Sequence, residues 1–406
     1  MTRTIASSRL VPAVLGWLAL VAIGCGQSAP VSREAPPPDA KPDIALETVA
    51  SGLVTPWAMA FAPDGRIFLT ERPGRVRVVD QSGLRQEPWA VVDVVPPEYR
   101  TEGGLLGIAV APDFKTSGHV YVVGTFVNNG VLGNKVLRFT DREGKGVDRT
   151  VVIDGLPTVR AEPGAEQAIH THVGGALGFG PDGMLYVTVG DVTQPELSQD
   201  PKSLAGKLLR YRPDGTVPPD NPTSGSPVYA LGIRNSQGLA WNPENRALFV
   251  TDNGPSDLTW EKNFGGWFGD EVNGIVAGGN YGWPRVAGAG PLGRFLDPLV
   301  EWSPSIAPSG MTVYSGTELP WRGNLLVASM RGERLWRIVI ERNEAQPTGW
   351  KAVRQEGLLE GLVGRIRAVG MGPDGHLYIG SSNTDGRGKP RADDDKLYRV
   401  VARKSP

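Results

Sequence analysis

Phe61-Ala62-Pro63-Asp64-Gly65-Arg66-Ile67-Phe68-Leu69-Thr70 is an apolar run, a Pro-Asp-Gly turn and a second apolar run, and the chain repeats it. Proline presets φ and glycine accepts the left-handed position, so each copy reads as a β-hairpin whose register the turn fixes. Copies recur at Val110-Ala111-Pro112-Asp113-Phe114 with His119-Val120-Tyr121-Val122, at Phe179-Gly180-Pro181-Asp182-Gly183-Met184-Leu185-Tyr186-Val187, and at Trp241-Asn242-Pro243-Glu244 with Ala247-Leu248-Phe249-Val250. Another is Met371-Gly372-Pro373-Asp374-Gly375-His376-Leu377-Tyr378-Ile379, and a degenerate one, Leu319-Pro320-Trp321-Arg322-Gly323-Asn324-Leu325-Leu326-Val327, fills the longest gap. Six copies at spacings of roughly 50 to 75 residues, without 3.6-residue patterning, predict an all-β, six-bladed β-propeller.

Ile44-Ala45-Leu46-Glu47-Thr48-Val49 precedes the first copy and Lys396-Leu397-Tyr398-Arg399-Val400-Val401 follows the last. Pairing of these two end strands completes one blade and closes the ring, which removes open sheet edges. Residues 44–403 therefore read as one domain. The 54 Gly and 35 Pro fit many short strands joined by turns and disfavour helices.

A formal net charge of −1 gives no general attraction to nucleic acid or to an anionic membrane. Upstream of the domain, Arg3 and Arg9 flank the apolar run Leu10 to Ile23, which is short for a membrane span and reads as a secretory leader over residues 1–25. Ala22-Ile23-Gly24-Cys25 resembles a bacterial lipoprotein cleavage box, which implies a lipid anchor on Cys25 at the periplasmic face of the envelope. Residues 26–43, with Pro36-Pro37-Pro38, read as a semi-extended tether. Cys25 is the only cysteine, so the folded domain has no disulfide framework, no thiolate metal site and no thiol catalysis.

Tyr229 to Pro284 is dense in Asn, Asp, Gly and isolated Arg, and reads as two loops around one strand. Four histidines are present: His119 and His376 sit at strand starts in the hairpin phrase and read as structural, whereas His170 and His172 precede a blade strand. A histidine at a strand mouth suits proton abstraction from a hydroxyl. The His-x-His spacing also suits a metal, but no third ligand lies nearby in sequence.

The chain resembles the soluble pyrroloquinoline-quinone-dependent glucose and aldose sugar dehydrogenases, the glucose/sorbosone dehydrogenases. The resemblance spans Ile44 to Val401 and rests on Glu102-Gly103-Gly104-Leu105-Leu106-Gly107, His172-Val173-Gly174-Gly175, Gly232-Ile233-Arg234-Asn235-Ser236-Gln237-Gly238, Asp252-Asn253-Gly254-Pro255, Glu271-Val272-Asn273, Gly278-Gly279-Asn280-Tyr281-Gly282-Trp283-Pro284 and Gly364-Arg365-Ile366-Arg367, in one order. It implies oxidation of an aldose at the C1 hydroxyl to the lactone, with hydride passing to pyrroloquinoline quinone (PQQ) and then to an external electron acceptor. It further implies that His172 is the base and that Arg234 stabilises charge at the reacting carbonyl. The Gly254 and Pro255 carbonyls would hold a catalytic calcium, and Glu271 with Tyr281 a structural one. Glu102, Thr171, Arg234, Asn235, Arg331, Arg365 and Arg367 would contact the cofactor, the last three as a cationic clamp for its carboxylates.

Three departures bear on specificity. Glu102 stands where the well-characterised glucose dehydrogenases carry Gln, Thr171 stands where they carry an acid, and Leu258 to Gly269, with Trp260, Phe264 and Trp267, is inserted. The insertion suits either stacking on a ligand at the rim or packing as a lid or protein contact. Two other functions fit a propeller: a surface-tethered, calcium-stabilised module that binds carbohydrate or protein without oxidising it, and a calcium-dependent lactonase. The lactonase needs several carboxylates converging on one axial ion, where this sequence places one His and a set of Arg.

Overall fold

The computed structural model describes residues 44–95, 101–128, 131–158, 171–255, 269–290 and 293–403. The expected leader and tether, Cys25, His170 and all but Gly269 of the 258–269 insertion lie outside the described residues.

The strands form six antiparallel sheets. Counting each blade from its inner strand, blade 1 is Pro56–Phe61, Ile67–Glu71, Arg75–Asp80 and Gly83–Leu84, with Ala90–Val91 pairing beside it. Blade 2 is Leu105–Val110, His119–Asn128, Val131–Arg142 and Lys145–Pro157; blade 3 is Leu177–Phe179, Leu185–Val189, Lys207–Tyr211 and Val228–Leu231. Blade 4 is Gly238–Trp241, Leu248–Asp252, Asp270–Ile275 and Val300–Trp302; blade 5 is Pro308–Val313, Leu325–Ser329, Arg334–Arg342 and Trp350–Leu358. Blade 6 runs Ile366–Met371, Leu377–Ser381, Leu397–Ala402 and, outermost, Ile44–Ala50, whose Ile44 pairs with Ala402. Inner strands touch their neighbours around the full circle, blade 6 meeting blade 1. The chain is thus a six-bladed β-propeller closed by its two end strands.

The repeated phrase occupies the inner hairpin of each blade, with Phe61 opposite Ile67, Phe179 opposite Leu185 and Met371 opposite Leu377. Blade 2 differs: Pro112-Asp113 lacks the following glycine, and a one-turn helix, Phe114–Ser117, bridges the strands and ends on the left-handed Gly118. The stretch expected to be two loops around one strand instead contributes four strands among its described residues, because blade pairing overrides the turn preference of residues such as Gly238, Asp270 and Gly274.

The second strands of blades 1, 3, 4, 5 and 6 are buried at every residue, being covered on both faces by adjacent blades. The core consequently lies between blades: Leu106, Val123, Leu185, Val187 and Leu209 form one cluster across blades 2 and 3, and Trp321, Leu326, Ile366 and Ile379 another across blades 5 and 6. Each large apolar side chain removed from water there contributes about 1.5–3 kcal/mol. In every blade the entry to the inner strand and the exit from the second strand lie at the same end, opposite the hairpin turns. The motifs singled out in the sequence fall at that end.

Candidate active site

A cavity of about 340 Å³ opens among these entries and exits. Arg72 follows the second strand of blade 1, Glu102 precedes blade 2 and His172 precedes blade 3. Arg234, Asn235 and Gln237 lead into blade 4, Asn253 and Gly254 leave its second strand, Arg331 leaves that of blade 5, and Arg365 and Arg367 open blade 6. Asp385 and Arg387 complete the ring.

His172 is fixed on three sides. Its ring Nδ1 lies 2.7 Å from Asp191 Oδ1, its ring Nε2 lies 3.0 Å from a terminal nitrogen of Arg234, and its backbone N–H donates to Glu102 Oε2 at 2.9 Å. Arg234 can only donate, so this network assigns a neutral ring that gives Nδ1–H to Asp191 and leaves Nε2 as the acceptor. The residue has φ of 55° and passes its carbonyl so close to Gly190 that a Cβ there would meet it at 1.9 Å. Only glycine fits at 190.

Asp191 is fully buried and also accepts from Trp283 Nε1 at 2.8 Å and from the Thr193 N–H at 2.9 Å. Burial pushes its carboxyl up, but the hydrogen bond from His172, the charge of Arg234 and the Trp283 bond oppose this and hold it below its ordinary value. Arg234 donates to the Asn253 carbonyl at 2.7 Å and lies 5.4 Å from the Trp283 ring centroid. Its main chain is anchored by Asp252, which accepts from the N–H groups of Arg234 at 2.8 Å and Asn235 at 2.6 Å. Its Nε is buried with no partner among the described residues.

Among the described residues six guanidiniums line the cavity, those of Arg72, Arg234, Arg331, Arg365, Arg367 and Arg387, against two carboxylates, Glu102 and Asp385. Arg365 is neutralised by Asp385, at 2.9 Å from Nε and 2.7 Å from a terminal nitrogen. Arg72 donates to the carbonyls of Thr101 and Gly103. Arg367 is buried, stacks over Trp57 at 4.7 Å and touches the Met330 sulfur, with no carboxylate bonded to it. Burial, together with the repulsion of Arg72, pulls it down to about 9. Arg331 is exposed, and its side chain has no bonded partner among the described residues. A surplus of fixed positive charge on this scale calls for a polyanionic ligand.

Of the residues singled out in sequence, His172, Arg234, Asn235, Glu102, Gly254, Arg331, Arg365 and Arg367 come together at the cavity, and Thr171 and Pro255 are not among its lining residues. Glu271 and Tyr281 are buried away from it. Glu271 accepts from the Gly288 N–H at 2.6 Å and from Asn273 Nδ2 at 2.9 Å, and burial with the like charges of Asp252 and Glu301 pushes it up to about 8. The Tyr281 hydroxyl bridges the Gly274 carbonyl and the Val276 N–H. No group of three His, Cys, Asp or Glu side chains among the described residues is placed to hold a metal.

Sequence reasoning missed Arg72, Asp191, Asp385 and Arg387. Asp191 had a usable signal: it leaves the second strand of blade 3 as Asp252 ends that of blade 4, and each side chain reaches the entry loop of its own blade, Asp191 at His172 and Asp252 at Arg234 and Asn235.

A crystal structure from Thermus thermophilus is 42% identical with a TM-score of 0.76, covering 88% of this chain and all of its own. The PQQ-bound aldose sugar dehydrogenase of Streptomyces coelicolor is 36% identical with a TM-score of 0.75, covering 90% of this chain and 99% of its own. The aldose sugar dehydrogenase of Escherichia coli is 30% identical over 84% of this chain and 91% of its own length. The glucose/sorbosone dehydrogenase family pattern matches residues 53–399, and the chain belongs to that family of sugar dehydrogenases.

Proposed function

We propose that the protein oxidises aldoses at the C1 hydroxyl to the lactone, using PQQ and calcium. The observation that carries this reading is a neutral, carboxylate-backed His172 facing an arginine-rich cavity in which one buried guanidinium, that of Arg367, has no carboxylate hydrogen-bonded to it among the described residues. When bound, the quinone supplies a two-electron acceptor for hydride from the sugar and calcium polarises its reacting carbonyl.

The residues present fit both groups. Arg331, Arg367 and Arg72 offer positive charge for the cofactor's three carboxylates, whereas Arg365 is already paired. No described residue donates to the carbonyls of Gly254 and Pro255, which leaves two oxygens for a hard cation. Glu271 and the buried, unpartnered Asn273 Oδ1 beside it offer oxygens for a second calcium, to which the Tyr281 carbonyl would add another.

His172 Nε2 takes the C1 hydroxyl proton. Asp191 then faces an imidazolium across 2.7 Å and stabilises it. Arg234, within reach of both Nε2 and the cavity, turns its donors toward negative charge developing at the reacting carbonyl, a contribution of about 3 kcal/mol for one well-aimed donor. The leader-like segment and Cys25 add the proposal that the enzyme acts at the periplasmic face, lipid-anchored, and passes electrons to an external acceptor.

Protein reconstituted with calcium and PQQ should reduce an artificial acceptor dye when given aldoses, and His172→Ala should lower kcat about 1000-fold. Absence of sugar-dependent reduction across an aldose panel, with no quinone retained after desalting, would leave the non-catalytic binding module.

A further inference from the structure

The carboxylate of Glu102 stands at the cavity wall, where the family resemblance makes it a contact for the cofactor. The geometry points to another role: we propose that Glu102 is a positioning residue that acts through the main chain of His172 and through Asn235 and Gln237, rather than a ligand of the cofactor.

Three donors from two blades converge on a single oxygen, Oε2: the His172 N–H at 2.9 Å, Asn235 Nδ2 at 3.0 Å and Gln237 Nε2 at 3.3 Å. One carboxylate oxygen thus joins blade 2, which supplies Glu102, to the entry loops of blades 3 and 4, which supply the base and the segment carrying Arg234. Asn235 extends the link, since its side-chain oxygen accepts from the Gly174 N–H at 3.1 Å. The loop holding the base is stitched at both of its ends.

His172 needs such a hold. A non-glycine residue at φ of 55° is strained and persists only where its surroundings over-determine it. The carbonyl side is tied by the Val192 N–H at 3.3 Å, a long bond, so the shorter bond to Glu102 on the amide side is the stronger of the two tethers. Without it, the peptide before His172 is free to rotate and carries the ring away from Asp191 and Arg234.

The alternative, direct contact with the cofactor, meets an electrostatic objection. Partial burial of Glu102 disfavours its charge, but the charges of Arg387 and Arg367 and the Asn235 bond oppose this and favour the carboxylate, which can only accept. An anion that only accepts repels a tricarboxylate. Glutamine at this position keeps an oxygen for the three donors and loses the charge, whereas alanine loses both.

This inference rests on the proposed role of His172 as base, and the test separates the two. Cofactor-free protein is compared as wild type, Glu102→Gln and Glu102→Ala for amide hydrogen exchange at His172, for PQQ binding by fluorescence quenching and, after reconstitution, for kcat and KM. In Glu102→Ala, exchange at the His172 amide should quicken at least about 10-fold and kcat should fall about 100-fold, as for a base displaced by about 1 Å. KM and the PQQ dissociation constant should stay within about 3-fold, and Glu102→Gln should restore kcat to within about 5-fold of wild type. The proposal is overturned if Glu102→Ala keeps its amide protection and kcat, or if Glu102→Gln tightens PQQ binding about 10-fold or more, which marks relief of a direct contact. Should wild type bind PQQ yet oxidise no sugar, the functional reading fails, while the exchange arm still decides whether Glu102 holds the His172 backbone.

Discussion

Replacing Asp191 with Asn tests the proposed base directly without touching the cavity wall. The carboxylate supplies two oxygens to three donors, Oδ1 to the His172 ring and the Thr193 N–H, Oδ2 to the Trp283 indole. An amide has one oxygen, so its NH2 must face either the indole N–H or the imidazole. Facing the imidazole, it forces the opposite tautomer and protonates the nitrogen that has to accept the substrate proton. Facing the indole, it preserves the tautomer but withdraws the negative charge from beside the imidazolium. A buried, charge-assisted hydrogen bond contributes about 1.5–3 kcal/mol, and the upper value corresponds to about a 150-fold loss at 1.36 kcal/mol per decade. Stopped-flow dye reduction with calcium- and PQQ-loaded enzyme should therefore show kcat down about 100-fold, with the PQQ dissociation constant unchanged because Asp191 is not among the lining residues. The stability signature has a definite sign. The folded-state value of Asp191 is depressed, so its contribution is present above the ordinary 3.8 and is lost as pH falls through the lower folded value. Urea midpoints of wild type and Asp191→Asn should differ at neutral pH and converge below about pH 4. A kcat within about 3-fold of wild type, or cofactor affinity falling in step with kcat, would refute the assignment of His172 as an Asp191-backed base.

Arg367→Met removes a buried cation that no carboxylate neutralises, so the cofactor-free protein should melt at an equal or higher temperature while PQQ binding weakens about 10- to 100-fold, read by differential scanning fluorimetry and fluorescence quenching. Lys207 is fully buried, with its ammonium donating to the carbonyls of Leu197, Ser198 and Ala205. Lys207→Met removes all three bonds and leaves the Ala205 carbonyl without a donor among the described residues, while Leu197 and Ser198 keep the Asp200 and Gly232 N–H groups, and should cost about 2 kcal/mol in chemical denaturation. A chain beginning at Ser51 loses the outer strand of blade 6, uncovering the strand Leu397–Ala402, and should be about 3–5 kcal/mol less stable than one beginning at Ile44.

The blade count and hairpin registers were legible because they rest on local chemistry. A Pro-Asp-Gly turn fixes its own geometry wherever it stands, and the register of the strands on either side follows from it. The cavity was legible only in part. Arg234 and His172 sit in segments whose composition is unusual in itself, whereas Asp191 and Arg72 are ordinary residues that matter because the fold brings a strand exit beside an entry loop, of the same blade for Asp191 and of the next blade for Arg72. The clamp illustrates the same limit. Arg365 and Arg367 alternate correctly for one strand face, but only the fold shows that Asp385 bonds the first, while no described carboxylate bonds the second. Thr171, adjacent to the base in sequence, is not among the lining residues, because the left-handed turn at His172 redirects the chain there.

Closure of the ring by its two ends also sets the order in which the molecule folds. Each inner hairpin closes over a handful of residues, as Phe61 on Ile67, whereas Ile44 meets Ala402 roughly 360 residues away. With the chain treated as flexible, the entropic difference between those closures is about 4 kcal/mol, and it falls due only once every intervening blade exists to shorten the path. The clasp is therefore made last. A chain interrupted before Leu397 leaves blade 6 without its two outer strands however well the other blades have formed. Refolding should accordingly show hairpin signals well before the Ile44–Ala402 contact, and the open ring, with an unpaired blade 6 edge, is the species most prone to pair with another copy of itself.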